Sequence, residues 1–101
     1  VLEVAGALHP TPAVAGAPRD VALAWLAEHE PLARGWYAGG VGWLDASGGG
    51  DFAVALRCAR VAGGEARLYA GAGIVADSVP AAEAVETRIK LRALLVPLLE
   101  Q

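Results

Sequence analysis

Two glycine clusters decide what the middle of this chain can be. "ASGGG" at 46–50 and "AGG" at 62–64 supply backbone that tolerates positive φ, the chemistry of tight hairpin turns. They separate three stretches with strand character: 35–45 (GWYAGGVGWLD), 51–61 (DFAVALRCARV) and 65–73 (EARLYAGAG). Strands joined by turns this short pair antiparallel, so the expectation is a three-stranded antiparallel meander. In the central stretch Phe52, Val54, Leu56 and Cys58 alternate onto one face, and Ala53, Ala55, Arg57 and Ala59 onto the other. The first face reads as core. The second is a row of alanines with one arginine standing in it, and a half-exposed solvent face accounts for that as well as a binding face does.

Helices are expected on both sides of the meander. "VLEVAGAL" at the start fits the end of a short helix, and "HPTPAVAGAPRD" reads as a loop punctuated by proline and glycine. Pro18 opens "PRDVALAWLAEHE", a helix whose buried side would carry Val21, Trp25 and Leu26, and Pro31 ends it. The last helix starts at Ser78 or Pro80, with Ser78 a candidate cap, and runs to the mid-nineties, where Pro97 should end or bend it. At ~100° per residue, Glu83, Glu86 and the chain's single lysine, Lys90, fall within about a sixth of a turn of one another. Val85, Ile89, Leu91, Leu95 and Leu98 cover much of the rest of that helix.

Composition enters because the chain is short. At 101 residues it is one domain or a piece of a larger one, yet 55% of it is hydrophobic and its mean hydropathy is +0.44. Much of that is alanine, but the remainder still exceeds what so small an interior can hold. Some apolar surface is therefore expected to lie against a partner or against further chain. A net charge of −3 and the lack of a basic stripe with interleaved aromatics argue against nucleic acid. No run approaches the ~18 apolar residues of a membrane span, and the start lacks a signal-peptide pattern. The lone Cys58 makes neither a disulfide framework nor a metal motif, and His9 and His29 have no metal-like spacing. A cytoplasmic location is the expectation.

The Glu83, Glu86, Lys90 face carries two readings. One is an i,i+4 ion pair on a solvated surface. The other is a site for a hard cation: two carboxylates one turn apart suit Mg²⁺, which keeps several waters. Lys90 and an arginine would then serve an anionic substrate, with the backbone N–H groups of Gly71-Ala72-Gly73 adding anion contacts.

Four segments, "LHPTPAVAGAPRD", "EPLARGWYAGGVGW", "FAVALRCARV" and "RLYAGAGIVADSVPAAEAVETRIK", resemble in that order the C-terminal part of the chorismate-utilising enzymes, isochorismate synthases in particular. The resemblance covers essentially all of 1–101 and only the last portion of the family's catalytic unit. It implies an α/β (α+β) fold: a C-terminal fragment of the chorismate-binding α/β sandwich, with N-terminal helices, the meander and a C-terminal helix. It also implies roles. Glu86 matches the direct Mg²⁺ ligand, and Glu83 a glutamate held near the ion through water. Lys90 and Arg57 match contacts to substrate carboxylate, Gly71 a backbone N–H that does likewise, and Tyr37 a substrate-facing tyrosine. Ala13 stands where family members that use ammonia, and salicylate synthases, carry threonine, which favours water as nucleophile.

"AVAG" and "YAGGVGW" depart from the more usual "AVGG" and "YAGPVGW", a change in loop residues and not in charged ones. In the family, water adds at C2 of chorismate and the C4 hydroxyl leaves. The base lysine, the acid glutamate and a second metal-binding glutamate that serve this step lie upstream of the matched region. Lys90 is already matched to a carboxylate contact, so no catalytic residue is expected within these residues. The fragment alone is expected to be inactive and to self-associate through exposed sheet edges. The product would feed menaquinone or catecholate siderophore synthesis. The alternatives are a fragment of anthranilate or aminodeoxychorismate synthase component I, and a non-catalytic small α/β binding domain.

Overall fold

The computed structural model describes residues 1–100 and divides into two compact units, Val1–Ala55 and Leu56–Gln101. The first unit holds three helices, α1 (Leu2–Leu8), α2 (Pro12–Ala15) and α3 (Arg19–His29), and one hairpin, β1 (Gly40–Leu44) with β2 (Gly50–Val54). The second holds a hairpin of β3 (Cys58–Ala62) and β4 (Glu65–Tyr69), then the long helix α4 (Pro80–Leu99). The class is α+β: N-terminal helices, two antiparallel hairpins and a C-terminal helix. None of the described helices is long and apolar enough to cross a membrane.

The expected meander is corrected here. The described residues form four strands in two separate two-stranded sheets, not three in one. The central stretch 51–61 is cut in the middle, because Arg57 sits at φ +45°, in the left-handed region that ends strand geometry for a side chain of this size. On the near side of the break the pairing runs one step past β2: Ala38 N–H donates to Ala55 O at 2.9 Å, and Ala55 N–H to Gly39 O at 2.8 Å. On the far side Cys58 already pairs with Tyr69. The alternation therefore holds for Phe52 and Val54, which are half-buried around an exposed Ala53. It does not carry through to place Arg57 on one strand face with the alanines.

Both turns follow their glycines. Gly63 and Gly64, at φ +58° and +78°, close β3–β4 as a two-residue loop with positive φ at both positions, the twist a right-handed hairpin needs. The β1–β2 loop is held by Asp45, whose Oδ1 accepts from Ser47 N–H at 2.9 Å, Ser47 Oγ at 2.6 Å and Gly49 N–H at 2.9 Å. Within the sheet Gly42 lies opposite Phe52. A Cβ there would meet the Asp51 carbonyl oxygen first and then the Phe52 ring at 2.7 Å, so backbone and ring together leave no room for a side chain.

The helices depart from expectation at their ends. The loop 9–20 contains the single turn α2, packed on α3 so closely that a Cβ on Gly16 would lie 2.8 Å from the Ala22 Cβ. Helix α3 forms where proposed, with Asp20 in its first turn and His29 in its last, both favourable to the helix dipole. His29 stacks on Trp25 with ring centroids 4.3 Å apart and donates from Nδ1 to Trp25 O at 2.8 Å. Of its three proposed buried residues only Leu26 is half-covered; Val21 and Trp25 are exposed. Val79, not Ser78, precedes α4. Ser78 Oγ instead accepts from Val75 N–H at 2.8 Å and tightens the approach. Pro97 lies inside α4, which continues to Leu99; near an end, its missing N–H forfeits one helical bond without stopping the helix.

Little of either unit is fully covered. Ala15 and Ala38 are the buried apolar residues among those described. On α4 the half-covered positions are Glu83, Thr87, Lys90, Leu91 and Leu94, an i, i+4, i+7, i+8, i+11 stripe. Leu91 and Leu95 line a groove with Leu68 of β4. Val85 and Ile89 point outward, Ile89 with 65% of its surface exposed. The covered side of the helix is thus mixed, Glu83, Thr87 and Lys90 beside Leu91 and Leu94, while Val85 and Ile89 stay in solvent.

Candidate functional site

In the second unit β4 runs out at Tyr69, and the following segment passes beside α4. Lys90 Nζ donates to the carbonyl oxygen of Gly71 at 3.1 Å and pairs with Glu86 Oε1 at 2.6 Å. One ammonium thus ties the Gly-Ala-Gly segment to the helix and to a carboxylate. The hydrogen bond from Lys90, then its charge, holds the Glu86 carboxyl below the usual carboxylate range. Glu86 is exposed and Lys90 half-buried, so the pair adds little to stability. Its importance is placement: it leaves an ionised carboxylate open to solvent beside an anchored cation.

Glu83 is half-buried in the first turn of α4, where the helix dipole favours a negative charge. Thr87 Oγ1 donates to the Glu83 carbonyl at 3.0 Å. No cluster of three or more His, Cys, Asp or Glu side chains suited to a metal occurs among the described residues. Glu83 and Glu86 would hold only part of an ion's shell. That fits hydrated Mg²⁺, a hard cation that takes one or two carboxylates and completes its octahedron with water and ligand oxygens.

The other proposed residues are placed as follows. Arg57, exposed, occupies the bend between β2 and β3. Gly71 engages Lys90 through its carbonyl, whereas its N–H was the group expected to act. Ala13 lies exposed in α2, and Tyr37 is half-buried in the turn before β1. The structure thus joins Gly71 and Glu86 each to Lys90, with Glu83 on the same helix face. Ala13 and Tyr37 belong to the first unit.

A second cluster in that first unit was not foreseen. Arg34 donates from Nε to Glu30 Oε2 at 2.8 Å and from Nη2 to Glu30 Oε1 at 2.6 Å. Its Nη1 donates to the Val14 carbonyl at 2.7 Å, and its Cζ lies 5.7 Å from the Tyr37 ring centroid. Hydrogen bonding to Arg34 keeps the Glu30 carboxyl below its ordinary value and raises that of Arg34, despite the opposing effect of partial burial. The only trace of this in the sequence is the i,i+4 spacing of Glu30 and Arg34, and Pro31 between them disguises it as a helix end.

The profile of the family described as chorismate binding enzyme matches residues 1–99. The chain is 53% identical to the salicylate biosynthesis isochorismate synthase of Pseudomonas aeruginosa over 93% of its length. It is 50% identical to the isochorismate synthase MenF of Bacillus subtilis over 87%, and 48% identical to the vibriobactin-specific isochorismate synthase of Vibrio cholerae over 93%. It spans about a fifth of the length of these relatives, 20%, 19% and 24% respectively. With a family profile over residues 1–99 and identities near one half across about nine-tenths of its length, the chain belongs to the isochorismate synthase group of the chorismate-binding enzyme family.

Proposed function

We propose that this chain is the C-terminal portion of a Mg²⁺-dependent, cytoplasmic isochorismate synthase. The enzyme would convert chorismate to isochorismate by adding water at C2 and losing the hydroxyl from C4. The observation that carries the reading is Lys90, which joins the Gly71 segment to Glu86 within a chain about half identical to isochorismate synthases. Lys90 and Arg57 would bind substrate carboxylates as cations, and the Gly71-Ala72-Gly73 backbone would add N–H donors. Glu86 would hold the ion directly and Glu83 through water, the ion supplying positive charge to fix and neutralise a carboxylate of the substrate. Tyr37 would face the substrate. Ala13 would leave room for water in place of the hydroxyl that a threonine puts there. The proton removed from water and the proton given to the departing C4 oxygen would be handled by a lysine and a glutamate in further chain.

The test is chorismate turnover by the longer polypeptide, with the product identified by chromatography. Isochorismate formed only with Mg²⁺ present supports the reading. Anthranilate or aminodeoxychorismate formed with ammonia would replace it by the amination alternative, and chorismate binding without turnover by the non-catalytic one. Ala13→Thr is expected to cut isochorismate formation about tenfold or more by crowding the water. An unchanged product spectrum and rate in that variant would remove Ala13 from the argument.

A further inference from the structure

We infer that Arg34 is the positioning residue that sets the Ala13 turn and Tyr37 in place for the substrate, a role that rests on the function proposed above. Its guanidinium reaches three parts of the first unit at once. It binds both oxygens of Glu30 just past α3, at 2.8 and 2.6 Å. It donates at 2.7 Å to the carbonyl of Val14, the residue after Ala13. It also lies 5.7 Å from the centre of the Tyr37 ring.

The geometry suits arginine and no other cation. A planar fork can satisfy a carboxylate with two parallel N–H groups and still spend a third N–H on the Val14 carbonyl. Lysine offers a point charge that cannot serve both partners in one plane. Helix α2 needs such a tether, because one turn has no cooperative stability of its own and Thr11 makes no side-chain cap. Around the same place lie His9, Pro10, Ala15, Gly35 and Tyr37, which with Arg34 line an open hollow of about 230 Å³. Loss of the tether would let the Ala13 carbonyl-to-nitrogen turn drift by a fraction of an ångström, and Tyr37 would lose its cation.

The experiment uses the longer polypeptide and measures KM and kcat for chorismate alongside the melting temperature. Arg34→Gln is expected to raise KM about tenfold, because misplaced binding groups lose ground-state and transition-state contacts alike. Arg34→Lys is expected to recover only part of that loss. Wild-type KM in Arg34→Gln, with a lowered melting temperature alone, would reduce Arg34 to a structural brace and overturn the inference. Should Arg34→Gln not fold, Glu30→Gln keeps the bond to Val14 while loosening the fork, and a KM raised about threefold is expected; wild-type KM there would overturn it equally. Absence of turnover in the wild-type protein would refute the functional reading instead, which separates the two failures.

Discussion

Glu86→Gln in the longer polypeptide is expected to lower kcat/KM for chorismate by on the order of a thousandfold, with the melting temperature unmoved. The two halves of that expectation come from the same exposed pair. Glutamine keeps the shape and one oxygen, but it loses the charge that a hard cation requires. The fold loses little, since Glu86 lies on the open side of α4 and its tie to Lys90 is a surface ion pair. The bond from Lys90 to the Gly71 carbonyl does not involve Glu86, so it is expected to survive the substitution. Glu83→Gln, acting through water, is expected to cost less, and excess Mg²⁺ should restore part of either loss. A Glu86→Gln enzyme within tenfold of wild type would remove Glu86 from the ion's shell.

The 101-residue chain by itself is expected to associate in solution and to turn over no chorismate. Exposed apolar surface drives the association. Trp36, Val61 and Ile89 are 79%, 70% and 65% exposed, and both sheets have two strands, so every strand leaves one side of its backbone unpaired. Two-stranded hairpins are marginal in water without a covering layer, and unpaired edges beside bare apolar side chains invite pairing with another copy. Sedimentation velocity from about 1 to about 100 µM reads the outcome. A monomer throughout that range would show that the exposed apolar surface tolerates water. Inactivity follows from the inventory of side chains: Lys90 is the single lysine, and on the proposed function it binds a substrate carboxylate, which leaves no lysine to be the base. Turnover by the short chain would place base and acid among its own residues and require the roles to be assigned afresh.

The sequence made legible what depends on short-range chemistry. Glycine pairs announced both hairpin turns, Pro18 announced α3, and ~100° geometry put Glu83, Glu86 and Lys90 on one face of α4. What it hid depends on single backbone angles and on side chains reaching across the chain. Nothing in "ALRCA" reveals that Arg57 takes φ +45°, because arginine carries no turn preference, and alternation on both sides of the bend imitates one long strand. Nothing marks Arg34 as a partner of Val14, twenty residues away. Helix α4 misleads in a third way. Its amphipathic pattern invites burial of Val85 and Ile89, whereas both are exposed and Glu83, Thr87 and Lys90 are half-buried beside Leu91 and Leu94.

The bend at Arg57 has an evolutionary corollary. One codon there carries two demands, a backbone in the left-handed region and, on the proposed function, a cation for the substrate. Glycine would relieve a conformational cost of about 1–2 kcal/mol but would discard the charge. Lysine would retain the charge at the same conformational cost while losing the planar fork. Each of these exchanges gives up something arginine supplies on the proposed function, the charge in one case and the planar fork in the other.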